Sequence, residues 1–210
     1  MFITFEGPEG SGKTTQIPLL VDWLCAQGYE VELTREPGGT DIGNQIRDVL
    51  HDPVNAAMDA TAEILLYSAD RAQHVAQLIR PALAAGRVVI SDRYYDSTLA
   101  YQGYGRGLDL GMLCAITAFA TGGLKPDLTL YLDIAPEEGL RRRQAGGEEW
   151  NRLDAETLDF HRRVQAGYMA LMAQEPERWA VIDAARSVEE VQEEIRARVG
   201  TRLEQVMRNA

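Results

Sequence analysis

The chain has 210 residues, 45% of them hydrophobic and 25% charged, the make-up of a soluble globular protein long enough to bury a sizeable core. Its 21 basic and 32 acidic side chains leave a net charge of −11, which argues against a nucleic-acid surface, because that needs basic groups to displace counterions. It has no run of roughly 18 apolar residues to span a membrane and no secretion signal in MFITFEGPEG, and its two cysteines, Cys25 and Cys114, cannot staple a fold. Their apolar neighbours predict buried thiols, which fits a reducing cytoplasm.

Apolar stretches of strand length occur at Phe2–Phe5, Val31–Thr34, Val88–Ser91, Leu128–Leu132 and Ala180–Ile182. Between them lie segments of helical spacing, such as Ile17, Leu20, Val21 and Leu24. This alternation predicts an α/β domain: a five-stranded parallel sheet with helices on both faces. Asp59–Ala85 reads as two helices, Glu156–Gln174 as an amphipathic helix and Val188–Val206 as a closing helix. Gln144-Ala-Gly-Gly-Glu-Glu149, preceded by Arg141-Arg142-Arg143, is polar and glycine-bearing. It reads as an excursion from one domain covering residues 1–210, not as a boundary between two.

Gly7-Pro8-Glu9-Gly10-Ser11-Gly12-Lys13-Thr14, with Thr15 next in the helix, fits G-x-x-x-x-G-K-[ST] between the first strand and the first helix. That order suits a phosphate cradle of the P-loop NTPase fold. Glycines let successive backbone N–H groups face one anion at the positive helix end. Lys13 would bridge the β- and γ-phosphates of ATP, and the Thr14 hydroxyl would coordinate Mg²⁺. Asp92, ending the strand Arg87–Ser91, is the expected second metal carboxylate; Asp133 competes but reads better as a cap of the following helix.

The guanine-reading tetrapeptide N-K-x-D of GTPases is absent. Phosphoryl transfer onto another phosphate needs little base catalysis, because the acceptor oxygen is already ionised. The obstacle is repulsion between polyanions, and arginine with Mg²⁺ in a closed site removes it. Arg47, Arg71, Arg93 and residues 141–143 suit that task. Of the basic residues only Lys13 and Lys125 are lysines.

Glu9 within the P-loop, Thr34-Arg-Glu-Pro-Gly-Gly-Thr40, the block Asp92-Arg-Tyr-Tyr-Asp-Ser-Thr-Leu-Ala-Tyr-Gln-Gly-Tyr-Gly-Arg-Gly107, Pro126–Asp133 and Asp183-Ala184 together resemble thymidylate kinases of the bacterial kind. The resemblance spans essentially the whole chain. It implies the reaction ATP + dTMP → ADP + dTDP with Mg²⁺, in a cytoplasmic homodimer, with neither nucleic acid nor membrane as partner. It further implies that Glu9 accepts the dTMP 3′-hydroxyl and that Tyr67, where Phe is usual, stacks on thymine. Arg71, one helical turn on, would donate to a thymine carbonyl and so reject cytosine. Arg47 and Arg93 would fork onto the acceptor phosphate. Ser97, Thr98 and Gln102 would line the base and sugar, Tyr101 would exclude a ribose 2′-hydroxyl, and Pro37 would be cis.

The expected lid, about 141–154, departs from the family pattern. Three arginines are contiguous, and Asn151-Arg152 stands where Asp-Arg is usual. Arg142 matches the arginine that lies against adenine; Arg142, Arg143 or Arg152 must supply the positive charge for the transition state. The competing expectations are a kinase for dUMP or dCMP, and a nucleotide-binding regulator without turnover. His51, His74 and His161 lack metal-ligand spacing and read as ordinary helix or loop residues. Trp23, Trp150 and Trp179 read as core or lid packing.

Overall fold

The computed structural model describes residues 1–146 and 152–209; Trp150, Asn151 and the middle of the expected lid lie outside the described residues. The chain opens with β1 (Phe2–Glu6) and α1 (Lys13–Ala26), then β2 (Val31–Arg35) and α2 (Asp41–His51). A long helical run follows: α3 (Ala60–His74), a π-helical segment at Val75–Ile79, and α4 (Arg80–Ala84). Next come β3 (Val88–Asp92), α5 (Tyr95–Thr98) with a second π segment at Leu99–Gly105, and α6 (Leu110–Thr121). The chain then passes through β4 (Leu128–Asp133), α7 (Pro136–Ala145), α8 (Leu158–Gln174), β5 (Trp179–Asp183) and α9 (Val188–Asn209). Asp59–Ala85 therefore holds a single run where two helices were expected. Pro81 has no N–H to give an α-helical bond, and the wider turn just before it carries the run onward.

All five strands are parallel, in the order β2-β3-β1-β4-β5. The two strands beside β1 are reached by connections leaving in opposite directions, so a crevice opens at its C-terminal end, where doubly wound sheets bind ligands. The first four strands each run one residue past their apolar stretch, onto Glu6, Arg35, Asp92 and Asp133. Pairing continues onto those polar residues and delivers Arg35 and Asp92 to the crevice.

One face of the sheet buries Ile3, Phe5, Ile90, Leu130 and Ile182 against Ile17, Leu20 and Leu24 of α1 and Ile195 and Val199 of α9. The other buries Phe2, Val89 and Tyr131 against Ile64 of α3 and Phe160, Val164 and Tyr168 of α8. Trp179 belongs to that second core, and Trp23 packs half-buried at the edge of the first. Both cysteines are exposed, contrary to expectation. Each follows directly on a core leucine, Leu24 or Leu113, and a step of about 100° along a helix turns it outward.

Candidate active site

The P-loop, residues 7–14, joins β1 to α1. Gly12 caps α1 in the left-handed conformation at φ 92°, which a side chain would resist. The Lys13 ammonium donates to the carbonyls of Gly7 (3.1 Å) and Pro8 (3.0 Å) and to the Ser11 hydroxyl (3.2 Å). Burial, helped by Arg93, lowers its pKa to about 8, against the opposing pull of Glu9, Asp92 and Glu6. A Cβ on Gly10 would overlap the Gly139 carbonyl, and one on Gly139 would overlap the Glu9 carbonyl. Backbone thus rests on backbone, and α7 is seated directly on the P-loop.

Arg93 follows β3 with a left-handed backbone, φ 71°, a conformation costly for a long side chain and retained where surroundings impose it. Its guanidinium donates to Glu9 (2.6 Å), the Gly7 carbonyl (3.1 Å) and Ser97 (3.2 Å). The Tyr101 hydroxyl donates to the same Glu9 oxygen at 3.2 Å. Burial alone would raise the Glu9 carboxyl; Arg93, Lys13 and Arg143 outweigh it and hold the pKa at about 2. Beneath them Glu6 is fully buried, accepting from the Tyr94 N–H (2.9 Å), Ser97 (2.5 Å) and the Tyr168 hydroxyl (2.8 Å). Burial, reinforced by nearby Asp96, pushes its pKa up.

A cavity of about 610 Å³ runs from this centre toward α3. Its lining includes Glu9 to Thr15 at one end, and Arg47, Tyr67, Arg71, Ser97, Thr98, Tyr101 and Gln102 toward the other. Tyr67 and Arg71 are neighbours on α3, and burial raises the Tyr67 phenol well above its ordinary value. Arg71 is buried and donates from Nε to Glu36 at 2.7 Å; its Nη1 has no partner among the described residues. Arg47 donates to the Pro37 carbonyl at 2.9 Å, across the cis Glu36–Pro37 bond. Burial and the adjacent Arg35 guanidinium depress its pKa.

Asp92 and Thr14 share the cavity wall, and the buried Asp92 Oδ1 takes no hydrogen bond from a described residue. An unshared carboxylate oxygen near a hydroxyl at the phosphate end fits a hard divalent cation. Asp133 does not cap α7, as was expected. That helix starts at Ala135 with Pro136 in its first turn, a residue with no N–H to satisfy. Asp133 instead accepts from Gln165 at 3.3 Å.

The contiguous arginines of α7 diverge, as helical geometry requires. Arg141 is exposed and pairs with Glu138. Arg142 donates to Glu138 and to the Ala184 carbonyl, each at 2.9 Å. Arg143 reaches Asp154 at 3.2 Å and faces the Glu9 end of the cavity. Arg152 is buried elsewhere, donating to the Leu50 carbonyl (3.1 Å) and pairing with Glu63; it is not part of the cavity lining.

Several residues in or behind the cavity wall escaped the sequence reading. Arg35 and Glu36 end β2 just as Asp92 and Arg93 end β3, so the same strand-end signal would have found them. His51, read as ordinary, faces the cavity, where burial and Arg47 lower its pKa to about 4. His74 is buried in hydrogen bonds to Glu36 and Thr34. Tyr168 lies far along the chain and carried no local signal.

A family model described as Thymidylate kinase matches residues 5–195. The thymidylate kinase of Roseiflexus castenholzii is 56% identical over 209 residues, covering 94% of this chain and 91% of its own. That of Bacillus pumilus is 53% identical over 196 residues, covering 93% and 92%. The crystal structure of thymidylate kinase from Ehrlichia chaffeensis superimposes with a TM-score of 0.75 at 33% identity, over 95% of this chain and 98% of that one. The P-loop NTPase architecture and these full-length similarities agree, and the chain belongs to the thymidylate kinase family.

Proposed function

We propose that this protein transfers the γ-phosphoryl group of ATP to the phosphate of dTMP, yielding ADP and dTDP for dTTP synthesis. The observation that carries this reading is the Glu9–Arg93–Tyr101 cluster. It sets an ionised carboxylate where the cradle meets the cavity leading to Arg71. Such a carboxylate accepts a 3′-hydroxyl, and the Tyr101 ring fixed against it removes room for a 2′-hydroxyl. Arg93 and Arg47 hold the acceptor phosphate, with planar forks suited to two oxygens. Ser97, Thr98 and Gln102 line base and sugar, Tyr67 stacks on the pyrimidine, and Arg71 donates to its carbonyl.

The backbone of Gly7–Thr15 and Lys13 hold the ATP phosphates, and Arg142 lies toward adenine beside Ala184. Arg143 is our choice for the transition-state cation, because it lines the cavity and its charge helps to hold Glu9 ionised, whereas Arg142 is tied to Glu138 and Ala184 and Arg152 lies outside the lining. Thr14 and Asp92 would hold Mg²⁺, which neutralises charge developing on the transferred phosphoryl group. The whole chain acts as one kinase domain, with residues of about 141–154 closing over ATP. A cytoplasmic location accords with its two free cysteines and with no described helix being long and apolar enough to cross a membrane.

We also propose a homodimer. Helices α3 and α6 share an apolar face in which Leu65 is 55% and Phe119 90% exposed, flanking a groove lined by Ala69, Ala72 and Ile116. A second copy of the same face is the occupant that a two-fold axis supplies.

The deciding experiment is ADP release with dTMP, dUMP and dCMP as acceptors. The expected order places dTMP well ahead. Equal rates with all three would remove the dTMP assignment, and ATP binding without transfer to any of them would remove the kinase.

A further inference from the structure

Arg71 is a wholly buried guanidinium in the cavity lining, and its grip is incomplete in an informative way. Glu36 Oε2 takes its Nε–H at 2.7 Å, and the guanidinium lies 5.7 Å from the centre of the Tyr94 ring. A free carboxylate usually captures arginine with both oxygens. Here the second oxygen is committed: Glu36 Oε1 takes His74 Nδ1–H at 2.9 Å. His74 Nε2 meets the Thr34 hydroxyl at 2.6 Å, so the ring is held at both nitrogens. Thr34 belongs to β2, one of the sheet's paired strands. The loop closes over this pair at Gly39, where a Cβ would overlap the Thr34 hydroxyl and crowd the imidazole.

We infer that His74, a buried residue outside the cavity lining, is the positioning residue for base recognition: the chain Thr34–His74–Glu36 fixes Arg71 so that one N–H pair stays available to the pyrimidine. With Oε1 held by His74, Glu36 restrains Arg71 through a single N–H, and Nη1 remains buried and without a described partner. A buried donor of this kind is costly until it finds an acceptor, and Arg71 lines the cavity in which a pyrimidine would supply one. A thymine carbonyl accepts; the cytosine amino group at the same ring position donates and is rejected. Without His74, Oε1 is free to take a second guanidinium N–H, and the carboxylate can turn about its own bonds. Arg71 then loses the fixed direction on which discrimination depends.

This inference rests on the reading of Arg71 as the base reader, and the experiment separates the two. kcat/KM is measured for dTMP and dCMP, and KM for ATP, in wild type, His74→Ala, His74→Asn and Thr34→Val, with the fold of each checked by circular dichroism. Wild type should prefer dTMP strongly; without that preference the reading of Arg71 falls. His74→Ala should lose roughly tenfold or more in kcat/KM for dTMP, with little change for dCMP and an unchanged KM for ATP. His74→Asn returns a donor near the Nδ1 position and should recover most of the preference. If His74→Ala keeps the wild-type dTMP-to-dCMP ratio, even with both rates reduced, the residue is merely structural and the inference is overturned. Failure of His74→Asn to recover the ratio overturns it equally. Should His74→Ala not fold, Thr34→Val decides: it retains shape and deletes only the terminal hydroxyl, and an unchanged ratio in that variant is disproof.

Discussion

Lys13 is one of two lysines among 21 basic residues, and the structure gives that scarcity a chemical sense. The other, Lys125, pairs with Glu175 at the surface, where an arginine would serve as well. Inside the P-loop a compact ammonium fits among two carbonyls and a hydroxyl, and a planar fork does not. Burial lowers its pKa from 10.5 to about 8; bound phosphates favour the charged form and raise it again. Below about 8 the free protein presents an ammonium, and above it a neutral amine that nucleotide must protonate in order to bind. Thus kcat/KM for ATP should hold level to about pH 8 and then fall by up to about tenfold per unit. A profile flat to about pH 9.5 would mean that Lys13 does not titrate in this range. Glu9, held at about 2, stays ionised throughout and adds no acidic limb near neutrality.

At the scale of elements, α7 is where local sequence logic and tertiary contact disagree. An alanine in place of a mid-helix glycine ordinarily stabilises by up to about 1 kcal/mol. At Gly139 the sign should reverse, because the added methyl meets the Glu9 carbonyl, backbone that cannot step aside. Overpacking of this kind costs about 1–3 kcal/mol, so Gly139→Ala should melt several degrees lower and turn over more slowly. Calorimetry that finds it more stable would refute the seating of α7 on the P-loop. The same helix separates the arginines. Arg143→Ala should lower kcat by about 10³-fold with dTMP affinity nearly intact. Arg152→Ala should act instead on stability, since it removes one of the two arginines paired with the buried Glu63 carboxylate, leaving Arg106 and Gln102 to hold it. Titration calorimetry beside steady-state rates distinguishes the two, and equal kcat losses would reinstate Arg152 as a catalytic candidate. Caps were missed in the sequence, where Asp133 alone was read as one. Thr40, Asp59, Asp109 and Thr157 each accept an N–H in the first turn of the helix that follows.

For the whole molecule, what the sequence disclosed divides by range. The five strands and their parallel sheet need only the alternation of apolar runs, and the cradle needs only eight consecutive residues, so both were legible. Arg152 was not, because its partners Leu50 and Glu63 lie about 100 and about 90 residues away in sequence. Tyr168 reaches Glu6 across 162 positions and left no local trace either. The net charge of −11 was sound as an exclusion yet silent about the site, where arginines and the cradle make a local positive field. The exposed face of α3 and α6 belongs to the same long-range category, since an apolar helix stripe can be covered from inside or by a second copy. Phe119 at 90% exposure and Leu65 at 55% favour the second copy. In the proposed homodimer any change there would be applied twice across a two-fold axis, so one charge per chain would put two like charges into one interface. Phe119→Asp should therefore give monomers in sedimentation velocity at micromolar concentration, where wild type sediments as a dimer. Because Phe119 lies outside the folded core, the monomer should keep its secondary structure. A wild type that is itself monomeric would leave this face to another partner and remove the homodimer.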